Sequence, residues 1–339
     1  GNMGNELKKF VTDHYKDGKA DLYSCFYYRY ETLTDRNGLF GTVIGDTWMF
    51  IKSFEAMRTN LIDCRHIESF IHIRDISNHP DIFGANAAFI VSNETKKKHS
   101  IFIKLTQNGS WRKRSEFLQA VQQKTEGAVF TVNQHDFAQI PGSPIVYWLS
   151  DAMRKTFTIG KPLEEIAKPR VGLQTGNNDR FIREWWEVSQ SRSSFGCKSH
   201  EEAAANGKRW FPYNKGGEFR KWYGNQEFVV NWEHDGKEIE NFRPHSVVRN
   251  PDLYFHPSIS WSKISSGDPA FRFFPGGFIF DVAGTSIFSS DDLRSTIMGY
   301  ADSTTAYTQL TAIAPTLNFE VGQIASLPIS ERLDGIDCD

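Results

Sequence analysis

Between Lys19 and Arg36 the chain reads KADLYSCFYYRYETLTDR, which puts Leu22, Phe26, Arg29/Tyr30 and Leu33 at helical spacing. That stripe predicts an amphipathic helix, ended by Asn37-Gly38. LFGTVIGDTWMF follows as a short apolar run suited to a buried strand. A polar-faced helix is expected over roughly Ser53 to Ile62, and IESFIHI (Ile67–Ile73) reads as the next strand. NAAFIVSN and HSIFIKLT read as a hairpin joined by the basic turn Glu94 to Lys98. Helix, strand, helix, strand and an antiparallel pair is how an α/β sheet ends, without its first βα unit.

Residues 107–160 read as a connector. QNGSWRKRSEFLQAVQQK is polar and partly helical, and IPGSPIVYWLSDAMRKTF sets two prolines against Tyr147 and Trp148. Beyond Lys161-Pro162 short aromatic strands alternate with Gly, Asn and Pro turns, which argues for a β-rich domain with irregular loops over 161–339. One helix is expected near Ser303 to Ile313, before Pro315. The fold class expected is therefore α/β over 1–106, a connector, and then β.

At 339 residues the chain has room for two domains. Aromatics reach 14%, with 27 Phe and 9 Trp, and flat rings serve both cores and stacking platforms. A net charge of −2 gives no global argument for nucleic acid, so local charge has to decide. Cys25, Cys64, Cys197 and Cys338 lack C-x-x-C spacing, which speaks against a zinc site or disulfide framework and for a reducing cytoplasm. No apolar run approaches the ~18 residues of a membrane span. The opening GNMGNELKKF reads like the inside of a loop, and a fragment of a longer chain is expected.

Two stretches hold candidate chemistry. VGLQTGNNDRF (Val171 to Phe181) has neither the lysine and hydroxyl of a Walker loop nor G-x-G-x-x-G spacing. Gly172, Gly176, Asn177 and Asn178 tolerate positive φ, so a structural turn is one reading. Arg180 and Arg183 open a second, contact with an anion. From Lys208 to Tyr223 the chain sets Lys208, Arg209, Lys215, Arg220 and Lys221 against one acid, Glu218. These interleave with Trp210, Phe211, Tyr213, Phe219, Trp222 and Tyr223. Cations neutralise phosphates and aromatics stack on bases or wedge beside them, while Gly216-Gly217 lets backbone approach a duplex. The alternative is a β-hairpin with rings in the core and cations in water. Trp111 to Arg114 is a smaller version, read as a solvated turn. His66, His72 and His79 lack helical metal-pair spacing and receive no ligand role. Asp46, at the end of a buried strand, lies where α/β sites collect, though a strand-capping role is favoured.

ADLYSCFYYRYETL…GLFGTVIGDTWMF resembles the region just after the catalytic Asn-Pro-Pro-Tyr motif of γ-type adenine-N6 DNA methyltransferases. IPGSPIVYWLS, KPRVGLQTGNNDRFIREWWEV, KRWFPYNKGGEFRKWYGN and PTLNFEVGQIASLPI are similar to the PglX methyltransferases of bacterial BREX phage-defence systems. The resemblance covers nearly the whole chain. It implies the C-terminal half of a Rossmann-like S-adenosylmethionine-methyltransferase sheet, ending in the hairpin Ala85 to Leu105, and a target-recognition domain from about Lys161. The cofactor loop and Asn-Pro-Pro-Tyr would lie upstream of Gly1, so the chain alone is expected to be inactive. The cysteine and histidine spacing gives the separate expectation of no metal. Phe83 would stack on the extruded base, as an aromatic does in related TaqI-type enzymes. Double-stranded DNA would meet Asn177, Asn178, Arg180, Arg183, Lys208, Arg209, Trp210, Tyr213, Lys215, Arg220, Lys221 and Trp222, with Lys263 and Arg272 as lesser contacts. The N-terminal part of the same protein and other BREX proteins are the implied partners, with no membrane. Two rival readings are a non-catalytic DNA-binding module of a defence complex and an aromatic β domain that binds carbohydrate.

Overall fold

The structure, a computed structural model, describes residues 3–74, 85–96, 98–106, 113–123, 125–265, 267–314 and 318–330. The chain forms two compact units, Gly1–Thr158 and Ile159–Asp339.

In the first unit the order is α1 (Asn5–His14), α2 (Leu22–Leu33), β1 (Leu39–Gly45), α3 (Glu55–Cys64), β2 (His66–Arg74), β3 (Ala85–Ser92), β4 (Ser100–Leu105), α4 (Lys113–Gln123), β5 (Val129–Val132) and α5 (Asp151–Ile159). The sheet runs β1-β3-β2-β4-β5. The expected hairpin is therefore corrected. β3 lies antiparallel between β1 and β2, while β4 pairs parallel to β2 on its far side. The basic turn is what carries the chain across: Lys96 and Lys98 both reach Glu68, at a register shift in β2. Buried Gln134 supports that bulge, accepting from Ile67 N (2.8 Å) and donating to the carbonyls of Ile62 and Arg65.

The expected face of α2 is also reversed. Ser24, Cys25 and Tyr27 are buried, whereas Phe26 and Leu33 face outward. LYSCFYYRYETL is apolar or aromatic almost all round, so periodicity alone does not choose which stripe meets the sheet. Core packing is aromatic: Phe70 stacks on Phe89 at 5.4 Å, and Phe102 on Tyr147 at 4.8 Å. Tyr147 arrives from the segment after Pro141, which buried Arg58 pins. Its guanidinium donates to the carbonyls of Gly142, Trp48 and Ile51, and burial pulls it down to about 10. The stretch after Pro141 thus contributes Ile145 and Tyr147 to the core of this unit. Among the described residues no helix is long and apolar enough to cross a membrane.

The second unit continues with β6 (Lys161–Pro162), β7 (Lys168–Arg170), α6 (Asn178–Phe181), β8 (Ile182–Glu184), α7 (His200–Ala205), β9 (Trp210–Asn214), β10 (Phe228–Asn231), α8 (Glu233–Glu240), β11 (Ser258–Trp261), β12 (Phe271–Phe274), β13 (Ile279–Phe280) and β14 (Ser286–Phe288). It closes with α9 (Asp291–Ala301), α10 (Thr304–Ile313), α11 (Val321–Ala325) and β15 (Pro328–Ile329). Two four-stranded sheets form, β13-β9-β10-β8 and β12-β11-β14-β7, beside the pair β15-β6. Asn214, at the end of β9, ties them together. Its amide donates to Ser260 Oγ (2.7 Å) on β11 and Gly284 O (2.9 Å), with Ser286 Oγ at 3.3 Å. All four residues lie in the interior, where a donor left unpaired costs about 1–3 kcal/mol.

A second pin holds the start of α8, where His234, Asp235 and Gly236 all have positive φ. His200 faces an acceptor at each ring nitrogen: Asp235 Oδ1 at 2.6 Å and Pro251 O at 2.8 Å. Burial alone would lower the imidazolium, but the Pro251 carbonyl and the Asp235 carboxylate outweigh it and hold His200 above the ordinary histidine value. A raised folded value means stability that is complete below the unfolded pKa of about 6.5 and lost as pH rises through the folded pKa. Urea midpoints should therefore fall across that window, and fall less in His200→Gln. Coincident curves for the two proteins would contradict this role.

Candidate nucleic-acid interface

The segment Val171 to Phe181 leaves β7 in one sheet and runs to the edge of the other. Leu173 N donates to Phe280 O (2.8 Å), and Val282 N donates to Leu173 O (2.9 Å). Gln174 exchanges backbone bonds with Val247. A Cβ at Gly172 would lie 1.9 Å from Phe280 O, so only glycine allows this crossing. Gly176 has φ +77, and a Cβ there would stand 2.5 Å from His245 O. Asn177 then caps α6 by accepting from Arg180 N, and Thr175 Oγ1 donates to Asn178 Oδ1 at 2.9 Å.

Beside this crossing sits Asp281, 1% exposed. It accepts from the Tyr213 hydroxyl, from Ala283 N (2.7 Å) and from Lys215 Nζ (3.0 Å). Burial first, and then Asp281 itself, hold the Tyr213 hydroxyl well above the usual tyrosine range. Lys215 is partly exposed, and its ammonium lies 3.5 Å from Asn178 Oδ1. Gln174, Thr175, Gly176, Asn178, Lys215 and Val282 bound an open polar cleft over the carboxylate. Two stretches singled out from the sequence, 37 residues apart at this contact, thus meet at one lysine.

Past Lys215 the chain forms a loop with positive φ at Gly216, Gly217, Trp222, Gly224 and Asn225. Phe219 (57% exposed), Trp222 (51%) and Tyr223 (64%) present their rings to water. The backbone under them is held. Trp222 N donates to Phe271 O and its carbonyl accepts from Phe273 N, both at 2.8 Å. Ser262 Oγ reaches Gly217 O, Asn225 Nδ2 reaches Glu218 O, and Lys221 Nζ reaches Asp302 O. Left-handed backbone at a residue as bulky as Trp222 costs about 1–3 kcal/mol, and such strain concentrates at functional loops.

The remaining residues singled out from the sequence fall into two groups. Arg180 makes a two-pronged bond to Glu238 (3.0 and 2.7 Å) and lies over the Phe181 and Phe242 rings. Arg183 caps the carbonyls of Asp179 and Ile182, Lys208 holds Ser191 O, and Lys263 pairs with Glu320 at 3.1 Å. Arg209 lies over the Trp210 ring, and Arg220 sits 3.5 Å from Glu227. These remain at the surface. Trp210, Tyr213 and Arg272 do not: every residue of β9 is buried, and Arg272 donates to Ser262 Oγ and Ala270 O. Burial pulls its guanidinium down to about 10. These three side chains are buried in this fold. Phe83, His79, Trp111, Arg112 and Cys338 lie outside the described residues.

Sequence spacing also missed a cluster in the first unit. His72 sits between Asp46 Oδ2 (3.2 Å) and the Tyr147 hydroxyl (3.0 Å), with its ring stacked on Trp148. Lys104 Nζ lies 5.0 Å over that same indole. Register pairs only His72 with Lys104; Asp46 comes from just after β1 and Tyr147 and Trp148 from the segment before α5, so the tertiary fold brings them together. Among the described residues no group of three or more His, Cys, Asp or Glu is placed to hold a metal.

Comparison with known proteins bears out the resemblance. The family described as Eco57I restriction-modification methylase matches residues 1–79. The adenine-specific methyltransferase PglX of Lacticaseibacillus casei (strain Zhang) is 34% identical over 348 aligned positions, covering 98% of this chain and 28% of that protein. BrxX, an adenine-specific methyltransferase of Escherichia coli O9:H4 (strain HS), is 31% identical over 96% of the chain and 26% of its own length. The chain therefore spans about a quarter of the curated relatives it matches. Among solved structures, the Type IIL restriction-modification enzyme MmeI in complex with DNA superposes with a TM-score of 0.57 at 13% identity, over 96% of this chain and 44% of that one. That likeness is one of fold.

Coupling at the cleft is measurable. Asp281→Ala should cost about 3 kcal/mol in urea unfolding, because it strands buried donors. Lys215→Ala should cost about 1–3 kcal/mol in the parent and almost nothing in the Asp281→Ala background. Additive effects would show that the two side chains do not act as a pair.

Proposed function

We propose that this chain is the target-reading portion of an adenine-N6-specific DNA methyltransferase of a phage-defence, restriction-type system. The observation that carries the reading is the meeting of Lys215 and Asn178 at an open cleft beside an exposed basic, aromatic loop. It occurs in a chain whose 31–34% identical relatives are named adenine-specific methyltransferases. Target recognition belongs to the region from about Lys161 onward. Asn177, Asn178, Lys215, Arg220, Lys221 and Trp222 are its central contacts. Arg180, Arg183, Lys208, Arg209 and Lys263 engage phosphates by exchanging their present partners for DNA, a small sacrifice because exposed ion pairs are worth about 0–1 kcal/mol.

The first unit is proposed as the C-terminal half of a Rossmann-like methyltransferase sheet. Two features support this. β1 and β2 run parallel with α3 between them in sequence and antiparallel β3 between them in the sheet. Among the described residues β1 is an edge strand, so further strands from the full-length protein have a backbone edge to pair with.

S-adenosylmethionine is the methyl donor implied by the relatives, but the residues of this chain do not fit it. No two of its 26 glycines stand two positions apart, and Asn-Pro-Pro-Tyr does not occur. Methyl transfer is accordingly assigned to the full-length protein, with this chain orienting the duplex.

Duplex DNA titrated at ~50 and ~200 mM salt should lose at least about tenfold in affinity, the effect of two phosphate contacts, and Lys215→Ala should lower the salt slope by about one. No binding, or binding indifferent to salt, would sink the DNA reading. The full-length protein should incorporate labelled methyl groups at adenine N6. No incorporation with the cofactor demonstrably bound would reject the catalytic half of the proposal.

A further inference from the structure

We propose that the loop from Gly216 to Asn225 is a preformed wedge whose Phe219, Trp222 and Tyr223 rings enter a base step of duplex DNA and stack on the bases they separate. This rests on the DNA reading above and adds which residues open the helix.

Three large rings within five residues are more than half exposed, although each ring loses hydrophobic stabilisation by remaining in water. Their presentation is built rather than incidental. The loop is anchored at Gly217, Glu218, Lys221 and Trp222 by hydrogen bonds from or to Ser262, Asn225, Asp302 and the backbone of β12. Four of its turns use glycine or asparagine, which accept positive φ readily, but the fifth, at φ +71, uses Trp222. A glycine would serve that backbone better, so the indole is there for what it touches. Ordering such rings before contact removes the entropic cost that a floppy loop would meet on binding.

The chemistry of the occupant follows from the neighbours. Arg220, between Phe219 and Trp222 in sequence, sits 3.5 Å from partly exposed Glu227, a weak and screened pairing, and Lys221 next to it is partly exposed. Rings flanked by cations match a base step, where π faces lie between two rows of phosphates. Phe219 also borders a shallow cleft shared with exposed Ile264, giving a separated base an apolar wall. A protein partner would match the rings but gains less from the cations.

The test uses short duplexes in which a single mismatch is walked along the sequence, read by fluorescence anisotropy against the fully paired duplex. A mismatch has already surrendered stacking, so the parent should bind the best-placed mismatch about five- to tenfold more tightly than the paired duplex. Trp222→Gly, which suits the local backbone and keeps the fold, should erase most of that preference while its thermal midpoint stays equal or rises. Phe219→Ser/Tyr223→Ser should reduce it further. If Trp222→Gly keeps the full preference, or if the parent binds in a salt-dependent manner with no preference, the wedge is overturned while DNA binding stands. The rings would then be free to face a protein partner. A parent that binds no DNA at any salt overturns the DNA reading, and the wedge with it.

Discussion

A carboxylate as deeply buried as Asp281 must find its donors and its counter-charge inside the fold, and the second unit is organised by that requirement. The Tyr213 hydroxyl comes from β9, Lys215 from just beyond it, and the Ala283 amide from the carboxylate's own turn. Pinning these together brings backbones so close that side chains no longer fit between them. A Cβ at Gly284 would meet Asn214 O at 2.2 Å, and one at Gly216 would meet Ala283 O at 2.8 Å. Glycine at these points is a consequence of the buried charge, not a sign of looseness.

From that knot the proposed contact surface follows. Lys215 neutralises Asp281 with one side of its ammonium and faces an open cleft and Asn178 with the other. The chain leaving Gly216 starts from a fixed point and direction, so the loop carrying Phe219, Trp222 and Tyr223 is projected from a rigid base. Asn214, hydrogen-bonded across to Ser260 and Ser286, couples that base to the second sheet. A site built on strands and pinned turns holds its geometry better than one on a free loop, and the proposed target reading would depend on such positioning.

Legibility from the sequence followed the range of the contacts involved. Strands and helices of the first unit were readable because their periodicity is local. Which stripe of α2 is buried was not, because aromatics occupy nearly every side of it. The pairing of β3 was not either, since Lys96 and Lys98 find Glu68 only in three dimensions. At the candidate site the stretches were legible as basic and aromatic, but the division of labour within them was not. Burial of Trp210 and Tyr213 against exposure of Phe219 and Tyr223 depends on where β9 ends. Arg180 read as a free cation because its partner Glu238 lies 58 residues away. The family resemblance was legible earliest because its motifs are packing signatures. In IPGSPIVYW, Gly142 receives Arg58, Ile145 N donates to Met49 O, and the Tyr147 hydroxyl meets His72.

Hydrogen exchange of the chain's backbone amides, with and without saturating duplex DNA, tests the central claim most directly. The account predicts slowed exchange concentrated in two stretches of the second unit, residues 173–183 and 215–225, with little change in β1 to β5. Protection confined to the first unit, or no change in either stretch while DNA is demonstrably bound, would contradict it.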